Sequence, residues 1–247
     1  MAKRKAPDEH QSEAWNKLPW AKLEKHVYRI QKRIYRAKQK GNTRAVQKLQ
    51  KLLMKSEAAR LLAVRRVTQD NQGKKTAGID RVKSVKPKQR LTMAIMIHPK
   101  YNSRHKAKPA RRVWIPKPGK DDKRPLGIPV MLDRALQALV KMAIEPEWEA
   151  IFEPHSYGFR PGRSAHDAMS QIHHYTCQKE KYILDADIKG CFDNINHKKL
   201  LSKIKTTSSI KHLIKGWLKA GVIDENGGFT STEAGTPQGG VITPPTM

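Results

Sequence analysis

Residues 182–193 read Tyr-Ile-Leu-Asp-Ala-Asp-Ile-Lys-Gly-Cys-Phe-Asp, and this stretch most limits what the chain can become. The apolar run predicts a strand over 182–188. Asp185 and Asp187 lie two residues apart and therefore on one strand face. The strand delivers them into a turn relieved by Gly190 and followed by an aromatic, Phe192. An isolated Asp at a strand end is most often a turn or cap residue, so the rest of the chain must decide its role.

From Pro19 onward, Leu23, Val27, Ile30 and Ile34 recur at helical spacing until Gly41-Asn42. Thr43 is expected to cap a second helix that runs to about Val67, carrying Val46, Leu49 and Leu53 under a basic face with Arg60, Arg65 and Arg66. The segment Asn71–Asp80 has glycines where a tight backbone path is needed, and Pro87 opens a short helix towards Ile97. Residues 98–112 are irregular and basic, as suits a loop against phosphate or a disordered linker. Val113–Ile115 and Leu126–Ile128 predict a hairpin. Asp133 is expected to cap a helix broken near Pro146, and Ser164 with Asp167 forms a capping box for a helix over 165–175. Further helices fit 197–205 and 210–220, and Asn226-Gly227 marks another hairpin turn. Helices segregated from short strands give an α+β class. Residues 1–14 read as a disordered basic tail, 15–97 as a basic helical unit and 98–247 as a second unit.

The chain carries 50 Lys and Arg against 22 Asp and Glu, a formal charge of +28, which would self-repel without a polyanion nearby. Nucleic acid is the expected partner, and a basic protein that merely coats it is the bland alternative. Contact with roughly 8 phosphates would give log affinity a slope of about −7 against log salt on duplex DNA. No apolar run of about 18 residues predicts a membrane span. Cys177 and Cys191 form no metal-binding or disulfide spacing, which fits a reducing, intracellular compartment, cytoplasmic or organellar.

Three segments in this order, the basic Trp114–Pro129, the Asp187-Ile188-Lys189-Gly190-Cys191-Phe192-Asp193 run and Gly235-Thr236-Pro237-Gln238-Gly239-Gly240, resemble the fingers and upper palm of a group II intron-encoded reverse transcriptase and maturase. The resemblance covers about 15–241 and implies a right-hand polymerase, with a basic helical RNA-binding N-terminal extension over 15–97 and the fingers and an incomplete palm over 98–247. It implies that Asp187, with the carbonyl of Ile188, holds catalytic magnesium (Mg2+). Phe192 would be a steric gate against a ribose 2′ hydroxyl, and Lys117 and Arg124 would close over the incoming deoxynucleoside triphosphate. Lys120 and Lys123 rival Lys117. Gln238 and Gly239 would border the nucleotide pocket. Arg60, Arg65, Arg66, Arg111, Arg112, Arg160 and Arg163 are the expected contacts to intron RNA, RNA template or DNA primer.

A member of that family continues past Gly240 to a Tyr-Ala-Asp-Asp hairpin with the remaining catalytic carboxylates, a thumb and an intron-binding domain. The chain reads as an N-terminal portion, inactive alone, with apolar surface for a second polypeptide to complete. The alternatives are a non-catalytic intron-RNA-binding fragment and a retron-type or defence-type reverse transcriptase.

Overall fold

The computed structural model describes residues 14–116, 119, 121, 123–236 and 240. Its helical part comprises α1 (Trp20–Gln39), α2 (Thr43–Lys55), α3 (Glu57–Arg65) and α4 (Pro87–Met96), all packed around or near α5 (Met131–Glu149). α1 buries Val27, Ile30 and Ile34, the stripe its sequence spacing predicts, and leaves its Lys and Arg residues largely in water. α5 is buried around most of its circumference, with Leu136, Leu139 and Ile144 fully enclosed, so it forms the axis of the core.

Local chemistry explains where the observed helices depart from expectation. The second helix is interrupted at Ser56, whose extended backbone and side-chain oxygen, accepting from the Ala59 amide, start a new helix. Past Arg65 the chain closes one π turn over Arg66–Asp70. Asn42, one residue before the expected Thr43, caps α2 by accepting from the Ala45 amide at 2.9 Å. Pro146 does not break α5. Proline lacks the N–H that would bond the carbonyl of Met142 four residues back, and Gln31 Nε2 of α1 donates to that oxygen at 3.0 Å. Asp133 is not the cap of α5 either; Val130 occupies that position.

Instead Asp133, 1% exposed, accepts from Trp217 Nε1 at 3.0 Å and the Lys108 amide at 3.2 Å, and sits 2.6 Å from His105 Nε2. One buried carboxylate thus anchors the 98–109 segment and, through Trp217, α8 (Ser208–Leu218), so that segment is tied down where a free basic loop was expected. A second buried network reaches across the chain. Glu147 accepts from Lys38 Nζ at 2.8 Å and Gln50 Nε2 at 2.9 Å, and Gln50 Oε1 accepts from Thr206 at 2.7 Å. Glu147 is nearly enclosed, so each charge and amide needs these partners.

The sheet has four strands in the order β2 (Lys123–Ile128), β1 (Ala110–Pro116), β3 (Val222–Ile223), β4 (Phe229–Thr230). β1 is antiparallel to β2 and parallel to β3, and the expected turn at Asn226-Gly227, with Gly227 at φ +82°, joins β3 to antiparallel β4. With its separate helices, the chain is α+β. α6 (Ala165–Thr176) begins at the predicted box, Ser164 Oγ accepting from the Asp167 amide and Asp167 accepting from Ser164. α7 (His197–Lys203) packs on α8.

The expected strand over 182–188 is absent. The segment is extended but exposed, with Tyr182, Ile183, Leu184 and Ile188 standing in water. A strand persists only when its amides and carbonyls are paired. Among the described residues neither sheet edge, β2 nor β4, pairs with it.

Candidate active site

Two loops more than forty residues apart in sequence are stitched together to make the site. After the extended segment, Gly190 at φ +62° starts a tight turn, its carbonyl accepting from the Asp193 and Asn194 amides at 3.1 Å. The turn presents Phe192, half-buried, and Asp193. Its carbonyls are then used by the second loop: the Thr236 amide donates to Phe192 at 2.8 Å and the Gly235 amide to Ile195 at 2.8 Å. Buried His197 Nε2 lies 2.6 Å from the Gly235 carbonyl. Only glycine fits at 235. Its φ is +78°, and a Cβ there would stand 2.8 Å from the carbonyl oxygens of both Phe192 and Asp193.

The β1–β2 hairpin closes the site. A cavity of about 180 Å³ lies between Arg112 of β1, Pro125–Gly127 of β2, Asp193 and Gly235-Thr236. All three sequence segments therefore contribute to one cavity, the middle one through Asp193. Asp187 does not line it. The residue is exposed on the unpaired 182–188 segment, as is Ile188, so the structure holds neither in the place a strand would give it. Arg124 is exposed on β2 opposite Ile115. Lys117, its rival Lys120, Gln238 and Gly239 lie outside the described residues; Lys123 opens β2 in an exposed position.

The expected RNA-facing arginines divide by what their guanidinium groups already touch. Arg160 is 9% exposed and spent internally: Nε and Nη2 bond Glu149 at 3.1 and 2.6 Å, and Nη1 bonds the carbonyls of Glu153 and Ser156. The Glu149 bond holds its pKa above the ordinary arginine value. It is a brace where a phosphate contact was expected. Arg60 donates to the Ala94 carbonyl at 2.6 Å, and burial pushes its pKa down. Arg65 lies between Glu24 and Asp70 with its guanidinium 4.8 Å from the Trp20 ring. Arg111 is half-buried with Nε unpaired, and Arg112 lies 3.7 Å from Asp224. Arg66 and Arg163 are exposed, Arg163 over the Tyr157 ring at 5.4 Å.

Sequence reasoning did not find Arg112, Val222, Thr232 or Ala234 as cavity walls, nor His197 as the clasp. No local motif marks them, because each acquires its place from the fold.

A family model described as the N-terminal domain of reverse transcriptase matches residues 15–97, and one described as reverse transcriptase (RNA-dependent DNA polymerase) matches 115–247. The chain is 34% identical to Protein YkfC of Escherichia coli (strain K12) over 208 residues, 81% of this chain and 54% of that protein. It is 41% identical to the group II intron-encoded protein LtrA of Lactococcus lactis subsp. cremoris over 144 residues, 55% of this chain and 23% of that protein. With Maturase-like protein 1 of Euglena gracilis it shares 27% identity over 206 residues, 78% of this chain and 42% of that protein. The chain thus spans about half or less of the length of these relatives. No helix among the described residues is long and apolar enough to cross a membrane.

Proposed function

We propose that this chain, which belongs to the reverse transcriptase family of RNA-dependent DNA polymerases, supplies the fingers and part of the palm of a right-hand polymerase serving a group II intron. Residues 15–97 are its RNA-binding helical extension and 98–247 its fingers and palm. The observation that carries the reading is the stitching of Gly235-Thr236 to Phe192–Ile195 beneath the β1–β2 hairpin. Those three segments are the ones that would surround a deoxynucleoside triphosphate. Lys117 and Arg124 attract its phosphates, the latter with a fork that grips two oxygens. Phe192 excludes a 2′ hydroxyl by bulk, and Gln238 and Gly239 approach the nucleotide edge. Arg66, Arg163 and Arg112 contact the backbone of template, primer or intron RNA, and the maturase role rests on the same surfaces.

Reverse transcriptases generally work with divalent metal ions, which stabilise the attacking and leaving oxygens. Magnesium would be held here by Asp187 and the Ile188 carbonyl. The described residues do not fit a complete site of this kind. Among them no group of three His, Cys, Asp or Glu side chains converges, and Asp187 lies outside the cavity. On this reading the chain by itself binds RNA, and primer extension needs a further polypeptide. A further polypeptide laid along the unpaired 182–188 segment would give that strand its partner.

The test is primer extension on an RNA template with deoxynucleotides and magnesium, the chain being supplemented in trans by a polypeptide carrying the remaining palm carboxylates. Synthesis should need both polypeptides and vanish in Asp187→Ala. The exposure of Asp187 favours one second reading, a non-catalytic intron-RNA binder, for which Asp187→Ala changes nothing.

A further inference from the structure

A separate cavity, about 330 Å³, lies between α2, the segment after α4, α5 and α8, and shares no lining residue with the candidate active site. Its inner walls are apolar: Met54 of α2, Ile97, Leu136 of α5 and Leu213 of α8 all line it, and all are buried. A cavity of this size, with apolar walls and a few convergent polar groups, has the form of a small-molecule site. Its walls are already set. The Asn102 side-chain amide donates to the Met96 and His98 carbonyls, and Thr207 accepts from the Ile210 amide at the start of α8.

The charge at the cavity has one sign. Lys51 and Lys55, one helical turn apart on α2, line it with the hydroxyls of Ser103, Thr207 and Ser209, and among the described residues no carboxylate does. Neither ammonium group has an ion-pair partner among the described residues. Both lysines are exposed, so the cations stand at the mouth and the apolar walls lie within. The positive field reaches a neighbour: burial first, then the charges of Arg60, Lys55 and Lys100, holds the His98 pKa below the ordinary imidazole value.

We infer that this cavity binds a small amphipathic anion, its apolar body between Met54, Ile97, Leu136 and Leu213 and its carboxylate or phosphate head on Lys51 and Lys55. Simpler ligands use only half of the site. A bare inorganic anion leaves the apolar walls without contacts, and a neutral apolar molecule leaves the two ammonium groups unpaired. A nucleic-acid backbone brings charge but no alkyl body to fill the walls. α2 lies within residues 15–97 and α5 and α8 within 115–247, the two stretches that separate family models match. An occupant therefore braces the junction of the two and stabilises the folded chain by mass action. The inference stands apart from the polymerase reading, which makes no use of this cavity.

The experiment titrates octanoate into the 247-residue protein carrying methyl-labelled methionine, and follows the Met54 methyl resonance and the thermal unfolding midpoint. Met54 should shift along a one-site saturation curve, exposed Met169 of α6 should not, and the midpoint should rise with octanoate concentration. Hexanoate should bind about tenfold more weakly, because two methylenes of burial are lost. Octyl phosphate should bind as well, and the tighter of the two octyl anions identifies the head group. Lys51→Gln with Lys55→Gln should weaken octanoate by about two- to thirtyfold and leave octanol unchanged. Met54→Trp, which fills the cavity, should abolish binding, and the two exposed lysines keep the test decisive if that variant misfolds. An unmoved Met54 methyl up to the critical micelle concentration overturns the inference. So does octylamine bound as tightly as octanoate, or unchanged octanoate affinity in the lysine variant. An oligoribonucleotide that shifts Met54 where octanoate does not makes the cavity part of an RNA surface and overturns it as well. Each of these failures leaves the family reading intact.

Discussion

Replacing Gly235 by alanine would place a Cβ 2.8 Å from the carbonyl oxygens of Phe192 and Asp193 and 3.0 Å from the Asp193 carbonyl carbon. All three are backbone atoms, so no side-chain rotation relieves the clash. Holding an L-residue in the left-handed region costs about 1–2 kcal/mol. Moving the two loops apart loosens the bonds from the Gly235 and Thr236 amides, each worth about 1 kcal/mol net, so the whole effect is about 3–4 kcal/mol. In urea, at a slope of about 2–3 kcal/mol per molar, the unfolding midpoint should fall by about 1–2 M. If the loops open without global unfolding, hydrogen exchange at the Gly235 and Thr236 amides should accelerate instead. Gly228→Ala, where a Cβ meets nothing within 4 Å, is the control and should stay within about 0.5 kcal/mol. Wild-type midpoint together with slow exchange at Thr236 in the Gly235 variant would refute the stitched-loop geometry.

Gly78→Ala would meet the Pro129 carbonyl and the Val130 backbone at 2.8–2.9 Å, prising the Asn71–Asp80 segment off the start of α5 at a cost of about 1–3 kcal/mol, read as a lowered urea midpoint. Asp133→Ala would strand buried donors on Trp217 and Lys108, so thermal unfolding should show a loss of at least about 3 kcal/mol, while Trp217→Phe, which removes one donor with its acceptor still engaged, should cost less. The hydrogen bonds from Ser164 hold the Asp167 carboxyl below the ordinary carboxylate range. A carboxyl depressed in the folded state contributes stability above its unfolded pKa and loses it as pH falls through the folded value, so α6 should fray below the usual carboxylate range. Ser164→Ala should raise the Asp167 pKa in an NMR titration, and an unmoved pKa would remove Ser164 as the cause.

The helices were legible wherever periodicity met a local stop signal: α1 ends at the Gly41-Asn42 break, and α6 starts at its capping box. Legibility failed where a distant group overruled the local rule. Pro146 stays helical because Gln31 supplies the missing donor, and Asp133 is drawn away from capping by Trp217 and His105. The 182–188 strand failed for the opposite reason: the apolar run is suited to a sheet, yet no described strand lies beside it. Of the site, the glycine at 235 and the hairpin were readable as motifs. That Arg160 is an internal brace was not, since the sequence shows an arginine but not which oxygens surround it.

The central claim is that the hairpin, the Phe192 turn and the Gly235 loop enclose one nucleotide-binding cavity. Photo-crosslinking of an azido deoxynucleoside triphosphate to the 247-residue chain, mapped by peptide mass spectrometry, tests it most directly. Adducts should fall within residues 112–127, 192–196 and 232–240 and be competed by unlabelled deoxynucleotide. Adducts confined to the α1–α2 helices, or none that competitor removes, would contradict it.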